Sequence, residues 1–136
     1  MQFKMKIELK DRKYTTKMED IPKIVKEIAK DTNVKAVYLF GSCATGKTHT
    51  LSDIDLCIIS NGKETADYPR TDNLDVVYFH RLPLIIQFRV LNDGKALIIK
   101  DKEFVYKLRG YISREYIDFL PAIQRFVKNT LQCTTQ

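Results

Sequence analysis

Val37-Tyr38-Leu39-Phe40-Gly41-Ser42, then ten residues, then Asp53-Ile54-Asp55-Leu56-Cys57-Ile58-Ile59: this stretch decides the fold. It reads as a strand, a Gly-Ser turn, a polar loop and a second strand. The second strand opens with two carboxylates spaced i, i+2. Strand side chains alternate faces, so Asp53 and Asp55 point the same way, roughly 7 Å apart. Two carboxylates on one face of so apolar a strand repel each other, and burial in a core adds to the cost. A divalent cation removes that cost. Hard cations such as Mg²⁺ take oxygen ligands, typically one or two carboxylates plus substrate phosphates. Gly41 allows close backbone approach, and the turn can offer N–H groups to phosphate oxygens. An edge strand with solvated acids beside a turn is the plainer alternative.

A second pattern overlaps the first. Gly41-Ser42-Cys43-Ala44-Thr45-Gly46-Lys47-Thr48 satisfies the P-loop expression G-x-x-x-x-G-K-[ST]. A P-loop must open a helix whose N-terminal amides hold the phosphates. Here His49-Thr50-Leu51-Ser52 leads straight into a β-branched apolar run, which leaves no room for that helix. The match is therefore read as coincidental. Lys47 remains a candidate loop cation for phosphate, or simply a solvated lysine.

The 136 residues suit one domain, taken as 1–136, with a modest but adequate core. Hydrophobic content of 44% and charged content of 29% are those of an ordinary soluble globular protein. No apolar run approaches a membrane span, and the N-terminus is not that of a signal peptide. Cys43, Cys57 and Cys133 show no CxxC spacing, which argues against a disulfide framework and a zinc site. Cys57 reads as a small core residue, and a cytoplasmic location is expected. The formal charge of +6 suits nucleic acid, ATP or an acidic partner. Its lysines are scattered and no RNA-binding fingerprint occurs, so direct nucleic-acid binding is not expected.

Outward from the motif, Met1 to Leu9 alternates weakly, as a short edge strand or extended arm would. Lys10 to Lys17 is a polar connector. Ile21, Ile24, Val25, Ile28 and Ala29 form an amphipathic helical stripe with Pro22 near its start. Val34 to Phe40 and Asp53 to Ser60 are the core strands. Asn61 to Asn73 reads as a flexible loop, and Leu74 to Phe79 as the next strand. Pro83 starts a second helical stripe that Asn92-Asp93-Gly94 ends. Ala96 to Ile99 is a short strand, and Asp101 a helix cap. A long helix follows, which Pro121 is expected to kink or divide.

The Gly-Ser turn, ten-residue gap and Asp-x-Asp strand resemble the nucleotidyltransferase signature of the DNA polymerase β superfamily. The order of elements beyond it, down to the Arg114-Glu115-Tyr116-Ile117-Asp118-Phe119 helix with Pro121 behind, looks like that of the minimal nucleotidyltransferase (MNT) antitoxins, over roughly residues 20 to 130. The resemblance implies an α+β fold: a polymerase β-like core, its mixed sheet flanked by helices, with a long C-terminal helical segment. It implies one or two Mg²⁺ ions held by Asp53, Asp55 and a third acid on an adjacent strand. Asp75 matches by placement, with Asp72 as the fallback. It implies ATP as nucleotide donor, its triphosphate cradled by Gly41 and Ser42, with Lys47 as a nearby cation. It further implies a HEPN-domain RNase toxin as partner, silenced by transfer of AMP to a tyrosine hydroxyl. Many relatives carry an arginine where Thr45 stands, which puts nucleotide affinity in question. Tyr116 and Asp118 carry the subfamily resemblance, but helix packing accounts for them equally well.

Two other readings stay open: an antitoxin that acts by contact alone, and a nucleotidyltransferase for a small molecule or RNA end. With only one long helical segment after the core sheet, the acceptor platform is expected to come from another molecule. A homodimer and a hetero-oligomer are both compatible with the sequence.

Overall fold

A computed structural model of the protein describes residues 16–41 and 53–134. Four strands occur among them: β1 (Val34–Phe40), β2 (Ile54–Ser60), β3 (Leu74–Tyr78) and β4 (Lys95–Ile99). The α-helices are α1 (Ile21–Ala29), α2 (Leu84–Asp93) and α3 (Lys102–Thr134). Short 3₁₀ turns at Met18–Asp20 and Phe79–Arg81 precede α1 and follow β3. The expected edge strand at Met1 to Leu9 lies outside the described residues.

The strands form one mixed sheet in the order β3-β2-β1-β4. β1 pairs antiparallel with both β2 and β4, whereas β2 and β3 run parallel. A parallel pair needs a crossover of a dozen or so residues, and here Asn61 to Asn73 supplies it. That segment was expected to be flexible. It is irregular but tied down at several points. Thr65 donates to Asp31 and accepts from Asn33, and the Ala66 amide donates to the Tyr78 hydroxyl at 3.1 Å. Glu64 accepts from Arg81 at 2.6 Å and pairs with His80 at the same distance. Ala66 and Tyr68 pack on the core.

The sheet is apolar on both faces, which is why β1 and β2 read as continuous hydrophobic runs. On one face Val37, Leu39, Ile54, Leu56 and Ile58 pack against the α1 stripe of Ile21, Ile24, Val25 and Ile28. On the other, Ala36, Tyr38, Cys57 and Ile59 pack against Val90 and Leu91 of α2 and Val105 and Ile112 of α3. Strict alternation would place Val34 with Ala36. The β1–β2 register shifts between those residues, and that irregularity returns Val34 to the α1 face. Burial pushes the Cys57 thiol up to about 12, so it is an inert core residue, as expected.

Local signals set the helix ends. Pro22 occupies the first turn of α1, and Lys100 Nζ donates to the carbonyls of Ala29, its last residue, and of Asp31 just beyond. Asp101 caps α3 by accepting from the Phe104 amide at 3.0 Å. Of the kink or break expected at Pro121, the break does not occur: α3 runs through the proline to Thr134. The proline ring denies one bond to the carbonyl of Ile117. Both residues lie on an exposed stretch where water can take that bond. No helix among the described residues is long and apolar enough to cross a membrane.

Tyr116 stacks on Phe88 with ring centroids 3.9 Å apart and planes 7° from parallel, which joins α3 to α2. This packing role predicts that Tyr116→Phe leaves stability unchanged. Tyr116→Ala is expected to cost about 1–2 kcal/mol, somewhat more than an aromatic pair contributes beyond its buried area. Urea denaturation of the two variants compares them. Equal losses would show that the hydroxyl, and not the stack, matters.

Candidate active site

The pleat of β2 fixes which way its acids face. Leu56 and Ile58 point to α1, so Asp55 shares the opposite face with Cys57 and Ile59. Asp55 sits opposite Phe40 on β1 and opposite Asp75 on β3. In a parallel pair directly opposed residues share a face, so Asp55 and Asp75 project side by side from neighbouring strands, whose spacing is about 4.8 Å. Asp53 stands just before β2, two residues from Asp55.

The register that places Asp75 is clamped from a distance. Asn73 exchanges two hydrogen bonds with the Thr16 backbone, donating to its carbonyl at 2.6 Å and accepting from its amide at 2.8 Å. The hydroxyls of Thr16 and Thr71 meet at 2.6 Å. These buried polar groups satisfy one another. The Ile54 amide then donates to the Asn73 carbonyl at 2.7 Å, locking the start of β2 to the start of β3. Gly41, at the end of β1, has φ +79°. A Cβ there would lie 2.5 Å from Asp55 Oδ2, so only glycine leaves that carboxylate its place.

Of the residues singled out from sequence, Asp53, Asp55, Asp75 and Gly41 thus gather at one end of the sheet. Asp72 is exposed in the turn before β3. Ser42, Thr45 and Lys47 lie outside the described residues. So does the stretch that a P-loop helix would need, although β2 is already under way at Ile54. The donors that face each other are hard carboxylate oxygens, which suit a hard divalent cation. Among the described residues no three His, Cys, Asp or Glu side chains stand together closely enough to hold one ion. A cation using two carboxylates, with water and phosphate completing its shell, fits this arrangement.

The acids interact electrostatically. Asp55 is held above the usual carboxylate value, first by burial, then by Asp75, then by Asp53. Its folded pKa exceeds its unfolded one, so ionising it destabilises the fold as pH rises past the ordinary carboxylate range. Below that range the penalty is absent. In metal-free buffer Asp55→Asn is therefore expected to raise the thermal midpoint by roughly 1–4 °C at pH 7. The gain is expected to disappear toward about pH 3. Melting curves across pH check both. An Asn variant that melts below the parent at neutral pH refutes the charge argument.

Sequence reasoning missed one feature of the site. A cavity of about 350 Å³ lies between the end of β1, at Phe40 and Gly41, and the α2 side chains Ile86, Arg89, Val90 and Asp93. Gly94 also lines it and lets the end of α2 approach β1: a Cβ there would be 3.2 Å from the Leu39 carbonyl and would collide with that of Val90. No periodicity signals such a pocket, because a charged residue on a helix is ordinarily just its wet face.

No curated protein sequence matches the chain. Among solved structures, it resembles a chain of a toxin–antitoxin complex with AMP-PNP: 18% identity over 83% of this chain and 97% of that one, TM-score 0.65. It resembles a chain of the tri-AMPylated Shewanella oneidensis HEPN toxin in complex with MNT antitoxin: 16% identity, 84% and 99% coverage, TM-score 0.62. A chain of the toxin–antitoxin MntA-HepT is similar at 17% identity, 80% and 94% coverage, TM-score 0.59. At these identities the likeness is one of fold. The model of the family described as polymerase beta, nucleotidyltransferase matches residues 22–103, from α1 through all four strands to the start of α3. The chain belongs to the polymerase beta nucleotidyltransferase family.

Proposed function

We propose that the protein is an Mg²⁺-dependent nucleotidyltransferase that takes ATP and transfers AMP to a tyrosine hydroxyl of a HEPN-type toxin, neutralising it. The observation that carries this reading is the register: Asp55 and Asp75 face each other, with Asp53 beside them and Gly41 against Asp55. Family membership supports the reaction class. The fold neighbours, one with AMP-PNP and one with an AMPylated HEPN toxin, support the donor and the acceptor. Exposed Ile117, Phe119, Phe126 and Val127 on α3 supply apolar surface for a protein partner.

Asp53, Asp55 and Asp75 would hold one or two Mg²⁺ between them, two carboxylates to an ion with phosphate and water completing its shell. The bound metal would neutralise charge on the phosphate oxygens and on the attacking oxygen. Gly41 leaves backbone room for the triphosphate, with Ser42 following it in the turn. Asp75, at the exposed start of β3, stands on the acceptor side and takes the proton from the attacking hydroxyl. The hydroxyl oxygen bonds to the α-phosphorus, the bond to the β-phosphate bridging oxygen breaks, and pyrophosphate leaves. The chain contributes position and electrostatics rather than a covalent intermediate. We take residues 1–136 as one domain acting in the cytoplasm.

Incubation with Mg²⁺, α-labelled ATP and a co-expressed HEPN-type protein, read by intact mass, tests the proposal. A gain of AMP on the partner supports it. A tight complex without label would favour neutralisation by contact alone, the reading to which the exposed α3 surface lends itself. Label on a small molecule or an RNA end, with none on protein, would move the acceptor class.

A further inference from the structure

The hydrogen bonds at the start of β3 converge on one residue. The Asn73 side chain donates to the Thr16 carbonyl and accepts from the Thr16 amide. Its backbone carbonyl takes the amide of Ile54, the residue between Asp53 and Asp55. Two residues further along the chain stands Asp75. Asn73 therefore ties together the approach to α1, the start of β2 and the start of β3, at the end of the sheet where the acids gather. β3 needs such a tie. It is the outermost strand on its side of the described sheet, five residues long, and only Tyr78, at its far end, is buried. Little packing fixes its near end, and a slip of one residue would turn Asp75 to the α1 face. The tie has an anchor of its own. The Lys17 amide donates to Asp20 Oδ2 and the Asp20 amide to the Lys17 carbonyl, each at 2.9 Å, which fixes Thr16 to the turn that opens α1. Thr16, Thr71 and Asn73 are all buried, and their side chains find partners in one another. Apolar residues of similar size would hold the three segments together without specifying where along its length β3 pairs.

We infer that Asn73 is a positioning residue for the acceptor half of the reaction: by gripping Thr16 it holds Asp75 opposite Asp55. Asp53 and Asp55 keep their own relation without it, because the pleat of β2 sets that relation. The inference rests on the nucleotidyl-transfer reading above. It divides the site into a donor half that β2 carries by itself and an acceptor half that depends on a contact spanning 57 residues. It also makes Thr16, ahead of α1, a determinant of chemistry carried on β2 and β3.

The test sets two readouts side by side: the rate of the first AMP addition to the co-expressed HEPN-type protein at saturating ATP, and calorimetric binding of AMP-PNP with Mg²⁺. Asn73→Ala removes the grip on Thr16 and keeps the carbonyl that holds Ile54. Its rate is expected to fall about a hundredfold, the usual cost of misplacing a catalytic group by about 1 Å. Its AMP-PNP affinity should stay within about threefold of the parent's, since Asp53 and Asp55 remain in place. An unchanged binding stoichiometry shows that the variant is folded. Thr71→Val, which removes one hydroxyl from the cluster, should lose about tenfold in rate. It decides the matter where Asn73→Ala does not fold. Thr71→Ser keeps the hydroxyl and should transfer at the parent's rate. Parent-like rates in folded Asn73→Ala and Thr71→Val overturn the inference and leave the transferase reading standing: the cluster then serves the fold alone. Rate losses matched by equal losses of AMP-PNP affinity also overturn it, because the donor half would then depend on the same tie. So does a Thr71→Ser variant as slow as Thr71→Val, which would assign the effect to packing of the side chain. A parent protein that labels no partner defeats the transferase reading and the inference together.

Discussion

Asp53→Asn and Asp55→Asn, singly or together, are expected to abolish AMP transfer, by about a thousandfold or more, while the fold survives. An amide oxygen is a far weaker ligand for a hard cation than a carboxylate, and the charge stabilisation lost is worth several kcal/mol at the transition state. The substitutions keep size and shape. They remove like charge from a cluster in which Asp55 is already held above the usual carboxylate range. Stability should therefore hold or rise as activity falls, which distinguishes a missing ligand from a damaged core. Intact-mass analysis of the acceptor and a melting curve of the same sample give both numbers. Full transfer by the double variant would remove the metal site from the mechanism. Asp75→Asn and Asp72→Asn extend the comparison. Asp75 faces Asp55 across the parallel pair, whereas Asp72 sits exposed in the turn. Loss in the first and parent-like transfer in the second would identify the third acid.

That choice between Asp72 and Asp75 marks the limit of what the chain reveals in one dimension. The pleat made Asp53 and Asp55 legible as a pair, because i, i+2 on a strand needs no tertiary information. The strands themselves were legible from their β-branched runs, and α1 from its stripe. Which residue of β3 stands opposite Asp55 depends on where two parallel strands come into register. That is set by Thr16, Thr71 and Asn73, across contacts of up to 57 residues in sequence. Isolated polar residues carry no hint of such a clamp. The return of Val34 to the α1 face depends in the same way on a pairing irregularity, and the ordering of Asn61 to Asn73 on Tyr78, Asp31 and Arg81. The course of α3 through Pro121 is a different case. Local propensity weighed against it, and a helix with solvent on that side accommodated it. The α2 cavity was invisible for the same reason as the register: it is the gap between two packed elements.

Gly41→Ala is expected to lower transfer about a hundredfold or more while costing only about 1–2 kcal/mol of stability. The two effects have separate origins. The backbone at φ +79° is one that an L-residue adopts at a penalty of roughly that size. The added methyl would also sit 2.5 Å from Asp55 Oδ2. A carboxylate at the end of a short side chain can rotate away, so relieving the collision adds only about 0.5 kcal/mol to the backbone penalty. The relieved position is the wrong one for Asp55, and a displacement of about 1 Å in a catalytic group commonly costs two orders of magnitude. A double-mutant cycle in stability isolates the contact. In an Asp55→Ala background no carboxylate meets the methyl, so Gly41→Ala should then cost only its backbone penalty. A smaller loss in that background than in the parent would establish that Gly41 and Asp55 compete for the same space. Additive losses, together with undiminished transfer by Gly41→Ala, would mean that glycine serves the turn alone and that Asp55 acts from some other position.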